Sequence, residues 1–333
     1  MSVNPPRFPR LLADVGGTNV RFGSQFDADG EISHINCYPC AEFETLQDAI
    51  RHHLAREQLE PPKTCAIGIA TPVTSDNVRM TNHHWTFSIK ALKETLRLER
   101  LLVLNDFSAL ALSLPALKSD ALHQVGAGSA VDGAPIGLVG PGTGLGVAAL
   151  VPIPGGEGLI PVAGEGGHVT LGSCEPEEAA VLKVLQSRFG HVSAERAVSG
   201  PGLENLYNAL AQVRGTAVPD RQAADITRGA IENADPICHG ALALFCSFLG
   251  HVAGNVALTL GARGGVYIGG GIVPQLGDWF DRSGFRECFE AKGRFTGYLQ
   301  DIPTLVLHAN AEAALLGASR ALDMQTTMRC AHA

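Results

Sequence analysis

Charge is scarce in this 333-residue chain: Asp, Glu, Lys and Arg together make up only 17%, against roughly 25% in a typical soluble domain. No run of Lys or Arg stands out and the formal net charge is −8. The basic stripe that supplies nucleic-acid affinity is therefore missing, and no nucleic-acid partner is expected. Cysteine is sparse, with 8 residues, and Cys65 and Cys246 lie inside apolar runs, which fits reduced thiols in a cytoplasmic setting. Cys37-x-x-Cys40 lacks the second pair or nearby histidines that a zinc site needs. The stretch Met1 to Arg10 contains three prolines and no apolar core, so no secretory signal is expected. No G-x-x-x-x-G-K-[ST] occurs, which excludes a P-loop. The nearest dinucleotide fingerprint, Gly144-x-Gly146-x-x-Ala149, is followed by a β-like stretch where a helix should hold the pyrophosphate.

Long apolar runs are also few. Gly240 to Ala262 carries no Asp, Glu, Lys or Arg and could span a bilayer by length. Yet Ser247, His251, Asn255 and Thr259 recur every four residues and form one polar stripe, with Gly250 and Gly254 beside it. A buried central helix, and no membrane, is the expectation.

Glycine is what the chain has in excess: 39 of 333 residues, close to 12% against a usual share of about 7%. These glycines cluster beside apolar runs at Gly16-Gly17, Gly140 to Gly146, Gly164 to Gly167 and Gly269 to Gly271. Such positions permit φ > 0 or let backbone approach a ligand closely. The flanking pattern alternates strands and helices, which predicts α/β architecture. Strands are expected at 10–13, from 20 onward, 65–70, 101–104, 136–139, 147–151, 265–268 and 304–308. Helices are expected at 45–57, 88–97, 106–114, 175–189, 201–213, 222–233, 236–261, from Pro274, and 312–322. A strand, glycine turn and strand open each half, which suggests two related lobes.

Asp14-Val15-Gly16-Gly17-Thr18-Asn19 has the makings of a phosphate loop. Adjacent glycines free backbone N–H groups, Thr18 and Asn19 add donors, and Asp14 could hold Mg²⁺ through water. The alternative is a type I′ or II′ hairpin with an incidental aspartate. Gly142-Thr143-Gly144 repeats the device. Pro141 beside it lacks an N–H and removes one potential phosphate donor. Asp106 follows an apolar strand and precedes a helix, so it is either a base for a hydroxyl proton or the N-cap of that helix. Glu165 and His168 sit in a glycine-rich loop where both can bond hydroxyls. Glu195 either joins them, pairs with Arg196 or caps a helix start. Gly270 and Gly271 follow a strand and suit either a nucleotide or a tight turn. His83-His84-Trp85 could stack a sugar or close a loop.

Taken in order, these motifs resemble the bacterial glucokinases of the hexokinase and actin-like ATPase superfamily. The likeness runs through Ala13 to Asn19, Met80-Thr81-Asn82-His83, Asn105-Asp106-Phe107, Gly142 to Gly146, Gly164 to His168, Ser193 to Arg196, Leu203 to Tyr207 and Gly269 to Pro274. The resemblance implies a two-lobed actin-like ATPase (ribonuclease H-like) fold with a cleft between the lobes. Residues 1–115 and about 307–333 would form a small α/β lobe, and 116–306 a larger one. It further implies ATP-dependent phosphorylation of D-glucose to glucose 6-phosphate by a cytoplasmic homodimer. Asp106 would be the base on the 6-hydroxyl, and Asn105, Glu165, His168 and Glu195 would bind the other hydroxyls. Asp14, Gly16, Gly17, Thr18, Asn19, Gly142, Thr143 and Gly144 would hold Mg-ATP phosphates, with Gly270 and Gly271 near the adenosine. The related repressor and sugar-kinase group carries a cysteine-rich zinc loop after Gly-Gly-His. Only Cys174 stands there, so no zinc is expected. Thirteen residues precede Asp14, too few for that group's DNA-binding domain. Two alternatives remain: a kinase for mannose, fructose or an N-acetylhexosamine, and a non-catalytic sugar sensor on the same fold.

Overall fold

The computed structural model describes residues 8–28, 30–81, 83–154, 158–308 and 312–331. Asn82, part of one motif quoted above, lies outside them. The chain divides into two compact units, Met1–Leu117 with Asn310–Ala333, and Lys118–Ala309.

The first unit is built on β1 (Arg10–Val15), β2 (Asn19–Gln25) and β3 (Ser33–Pro39), followed by α1 (Leu46–Arg56) and β4 (Thr64–Ile69). A small hairpin, β5 (Asn77–Arg79) and β6 (Thr86–Ser88), leads to α2 (Ile89–Thr95), β7 (Arg100–Asn105) and α3 (Asp106–Ser113). The sheet runs β3-β2-β1-β4-β7, with β1, β4 and β7 parallel and β2 and β3 antiparallel. Alternation sorts its side chains, since successive residues face opposite sides of a strand. Leu11, Ala13 and Val15 join the core under α1, whereas Leu12 joins Ala66, Leu315, Ala318 and Leu322 on the other face. The C-terminal helix (Ala313–Ala331) thus covers a sheet begun some 300 residues earlier. Its Gly317 has no room for a side chain, because a Cβ there would overlap the Ala109 carbonyl of α3.

The second unit adds β8 (Leu122–Val125), β9 (Ile136–Pro141), β10 (Leu145–Pro152) and β11 (Leu159–Gly164). Next come α4 (Pro176–Phe189), α5 (Gly200–Val213), α6 (Ala223–Ile231) and α7 (Pro236–Leu260). Then follow β12 (Val266–Ile268), α8 (Asp278–Asp281), α9 (Phe285–Glu290), α10 (Thr296–Gln300) and β13 (Thr304–Leu307). The sheet order is β11-β10-β9-β12-β13-β8, again two antiparallel pairings followed by parallel ones. The first five strands repeat the topology of the other unit, with β8 added at the edge.

The apolar helix is α7. Asp235 caps it by accepting from the Ile237 and Cys238 N–H groups at 2.8 and 3.1 Å, and Gly261 ends it at φ 61°, as the left-handed C-cap requires. By length and composition it could cross a membrane, but 72% of its apolar window is buried inside the protein. Gly250 and Gly254 meet the Phe285 and Phe289 carbonyls of α9 so closely that no Cβ fits. Of the polar stripe, Asn255 and Thr259 are exposed and His251 is buried. One expected helix is absent. The segment from Pro274 forms only a 3₁₀ turn, Val273–Leu276, before α8. Gly277, at φ 51° and ψ −139°, breaks the continuity between them.

Candidate active site

In the first unit the sheet's parallel strands carry their C-terminal ends, and with them Asp14 and Asp106, to the same edge. Asp14 is the fifth residue of β1 and pairs across β4 through Gly68 to Leu104 of β7. The small Gly68 lets α3 begin close by: a Cβ on it would lie 3.6 Å from the Asp106 Cα and 3.0 Å from Ala109.

Asp106 stands at the start of α3, and the hydrogen bonds show which residue caps that helix. Asn105 is the N-cap of α3, its Oδ1 accepting from Phe107 N at 3.0 Å and Ser108 N at 3.3 Å. Asp106 is the first helical residue and accepts from Phe107 N at 2.9 Å, with the Asn105 side chain also beside its carboxylate. Burial pushes the Asp106 carboxyl up to about 6, partly opposed by the Phe107 N–H and reinforced by the negative charge of Asp14. Asp14 is itself raised by burial, while the Arg21 guanidinium pulls it back; Arg21 Nη1 lies 3.4 Å from Asp14 Oδ2.

The loop Gly16-Gly17-Thr18-Asn19 closes the β1–β2 hairpin, with Gly16 N donating to Asn19 O at 2.9 Å. It is not a type I′ or II′ turn, because none of the four residues is left-handed. A Cβ on Gly16 would crowd the Asn19 carbonyl at 3.3 Å. The glycines also leave backbone bare beside Asp14. Asp14, Gly16 to Asn19, Arg21 and Cys37 line a recess of about 270 Å³. Cys40, the second half of Cys37-x-x-Cys40, anchors this loop: its N–H donates to Thr18 O at 2.8 Å and its Sγ to Gly16 O at 3.5 Å. His83-His84-Trp85 closes a loop. Trp85 is buried with Nε1 on Phe43 O at 3.2 Å, and His84 Nε2 lies 3.1 Å from Glu44 O.

In the second unit the β9–β10 hairpin turns through Gly142-Thr143-Gly144, with Gly142 N donating to Gly144 O at 2.8 Å. Pro141 is the last residue of β9 and stays in register opposite Leu145. The start of α5 abuts the turn, Gly200 N donating to Gly142 O at 2.8 Å. A helix N-terminus offers unpaired N–H groups to anions, which nothing in the spacing of residues 142 and 200 reveals. Glu195 does not fall to Arg196. Its Oε2 accepts from Leu145 N at 2.9 Å and ties the turn to the 3₁₀ segment Ala194–Arg196. Thr170 bridges Ser193, and Ala194 N donates to Val169 O at 2.9 Å. The Glu165–His168 loop is thereby brought beside Glu195. Glu165 and His168 are both about 60% exposed and stand 4.0 Å apart, free to meet a ligand.

The glycines of this unit divide by purpose. Gly166 and Gly167 are forced by packing, as Cβ atoms there would strike Val147 and the Leu145 carbonyl. Gly270, at φ 78°, is pressed against the Pro141 carbonyl, so the tight-turn reading holds for it. Gly271 has nothing within 4 Å. A pocket of about 610 Å³ opens nearby, lined by Gly142, Thr143, Gly200, Glu204, Gln222, Thr227, Ile272 and Gln275 among others. Gly200, Gln222, Thr227 and Gln275 are not singled out by the sequence, since they come from three separated segments.

Comparison with known proteins bears on the family and the fold. A family model described as Glucokinase matches residues 11–325. A glucokinase from Aromatoleum aromaticum is 51% identical over 317 residues, 95% of each chain. The crystal structure of a glucokinase from an Antarctic psychrotroph has a TM-score of 0.87 at 36% identity, covering 95% of this chain and 99% of that one. A ROK family glucokinase from Streptomyces griseus, solved in complex with glucose and AMPPNP, shares the fold at a TM-score of 0.63 and 18% identity, over 95% and 100% of the two chains. The fold is the two-lobed actin-like ATPase fold of these neighbours. From the matched residues, which span both units, it follows that the chain belongs to the glucokinase family, hexose kinases that phosphorylate glucose.

Proposed function

We propose that Asp106 is the general base of glucose phosphorylation at O6, with ATP as donor. The observation that carries this is the pair of adjacent residues with divided labour. Asn105 caps α3, so Asp106 is spared that role, and burial leaves its carboxyl raised to about 6. Such a group is mostly ionised at neutral pH yet basic enough to accept a proton, which is where a catalytic base works best. In the proposed step Asp106 takes the 6-hydroxyl proton as O6 bonds to the γ-phosphorus and the bond to the ADP oxygen breaks in line.

The Nδ2 of Asn105, the free oxygen of Glu195, and Glu165 and His168 would bond the remaining hydroxyls. The bare backbone of Gly16 to Asn19 and the turn Gly142-Thr143-Gly144, backed by the start of α5, would receive phosphate oxygens. The pocket beside Gly271 has the size for a nucleoside. Asp14 fits an Mg²⁺ held through water: its carboxylate lines the recess that Gly16 to Asn19 also line, and the ion would take over part of the charge balance that Arg21 supplies at 3.4 Å. Bound there, the ion would offset phosphate charge. Exclusion of water from Asp106 during transfer favours sugar over hydrolysis. The S. griseus relative with glucose and AMPPNP supports the choice of ligands. A cytoplasmic homodimer completes the proposal, and light scattering at twice the chain mass would bear on it.

The test is an ADP-release assay over glucose, mannose, fructose and N-acetylglucosamine, with ATP, GTP and polyphosphate as donors. Glucose with ATP should turn over fastest. Asp106→Asn should lower kcat by about 10²–10⁴-fold while glucose still binds. Near-normal kcat in that variant would remove Asp106 from the role of base.

A further inference from the structure

Away from these residues the second unit holds a cluster of reactive groups that glucose phosphorylation leaves unused. Cys174 lies just ahead of α4 and is exposed. Its Sγ is 3.9 Å from Nδ1 of His251, on α7. The other ring nitrogen, Nε2, is 3.2 Å from Glu178 Oε1. The second oxygen of Glu178 accepts from the N–H groups of Cys174 and Glu175, at 2.8 and 3.1 Å. Glu178 and His251 are almost fully buried, so the carboxylate, the imidazole and the thiol are held in a fixed line. A thiol, a histidine and an acceptor that orients the histidine are the parts of an activated sulfur nucleophile.

The geometry points to Cys174 as a site of covalent modification, a thiol held against His251 and, through it, Glu178, and oxidisable by hydroperoxides. The surroundings agree. Hydrogen bonds to Cys288 and Glu178 push the His251 imidazole up to about 10 despite its burial, so it is a cation at neutral pH. Burial lowers the Lys292 amine, an effect opposed by Cys174, Cys288 and Glu178, and its Nζ donates to His251 O at 3.3 Å. Cys174 also stands at the positive end of α4, a 14-residue helix. Glu178, His251 and Cys288 could alternatively hold a metal ion, since their ligand atoms lie within 4.8 Å of one another. A dication there would have to displace the proton of His251 and approach Lys292, which disfavours it.

In the reaction the Cys174 thiolate attacks one oxygen of the peroxide. An S–O bond forms and the O–O bond breaks. The electron pair leaves on the departing oxygen, which takes the His251 proton and departs as water or alcohol. Sulfur is oxidised to sulfenic acid as the peroxide is reduced, and solvent returns the proton to His251.

The experiment is cysteine-resolved mass spectrometry of the intact enzyme, with Cys37, also exposed, as internal reference. At pH 7 iodoacetamide should alkylate Cys174 at least tenfold faster than Cys37. Dimedone added after hydrogen peroxide should label Cys174 first. Glu178→Gln should bring the Cys174 rate toward that of Cys37, and His251→Asn should do so fully; circular dichroism shows whether each variant is folded. Equal rates at the two cysteines, or an unchanged ratio in folded Glu178→Gln, would overturn the assignment. So would stoichiometric zinc in the purified enzyme that His251→Asn loses. None of these readouts depends on sugar turnover, so they stand or fall separately from the role given to Asp106.

Discussion

At the scale of single residues, Asp106 links function to stability. A carboxyl held at about 6 in the folded protein starts from an ordinary value near 3.8. Between those two values the folded state keeps a proton that the unfolded state has lost. Stability from this group is therefore fully present below pH 3.8 and is lost as pH rises through 6. Ionised Asp106 costs on the order of 1–2 kcal/mol at pH 8, after discounting the shift for partial exposure. Asp106→Asn should accordingly raise the melting temperature at pH 8 by about 3 °C while removing activity, and the gain should vanish at pH 4. Calorimetry at the two pH values checks this. In the wild type, the acid limb of kcat/KM should have its midpoint near 6 and not near 4.

At the scale of elements, close packing dictates sequence more than ligand contact does. Gly250→Ala on α7 places a methyl group against the Phe285 carbonyl of α9. It should destabilise the protein by about 1–3 kcal/mol, read as a lower urea midpoint, with the glucose KM unchanged.

How far the sequence reveals such elements depends on how local their causes are. The helices α1, α4, α5 and α7 are legible because caps and apolar spacing lie within each segment. The edge strands β3 and β11 are not, since they are mostly unburied on both faces and are held by ladders to β2 and β10. The site follows the same rule. Asp106 is legible from a strand end, yet whether it or Asn105 caps α3 turns on which oxygen reaches Phe107 and Ser108. The bond from Glu195 to Leu145 spans 50 residues, and Cys174 meets His251 across 77. Spacing carries no trace of either.

At the scale of the whole molecule, the first unit depends on both ends of the chain. Leu315, Ala318 and Leu322 of the C-terminal helix cover Leu12 and Ala66 of the sheet. Arg10 of β1 bonds Ser319 at 3.2 Å and Asp323 at 2.6 Å. A chain ending before Ala313 should leave that sheet face bare and be recovered as aggregate. Soluble, active protein from this truncation would show the helix to be dispensable.

The helix that covers β1 has a consequence for synthesis. β1 leaves the ribosome long before the helix that shields its Leu12 face. The second unit lies wholly between them and has its own core around α7, so it can finish folding while β1, β4 and β7 still wait. During that interval the nascent chain shows one apolar sheet face to the cell, and a chaperone acting on this enzyme has its target there.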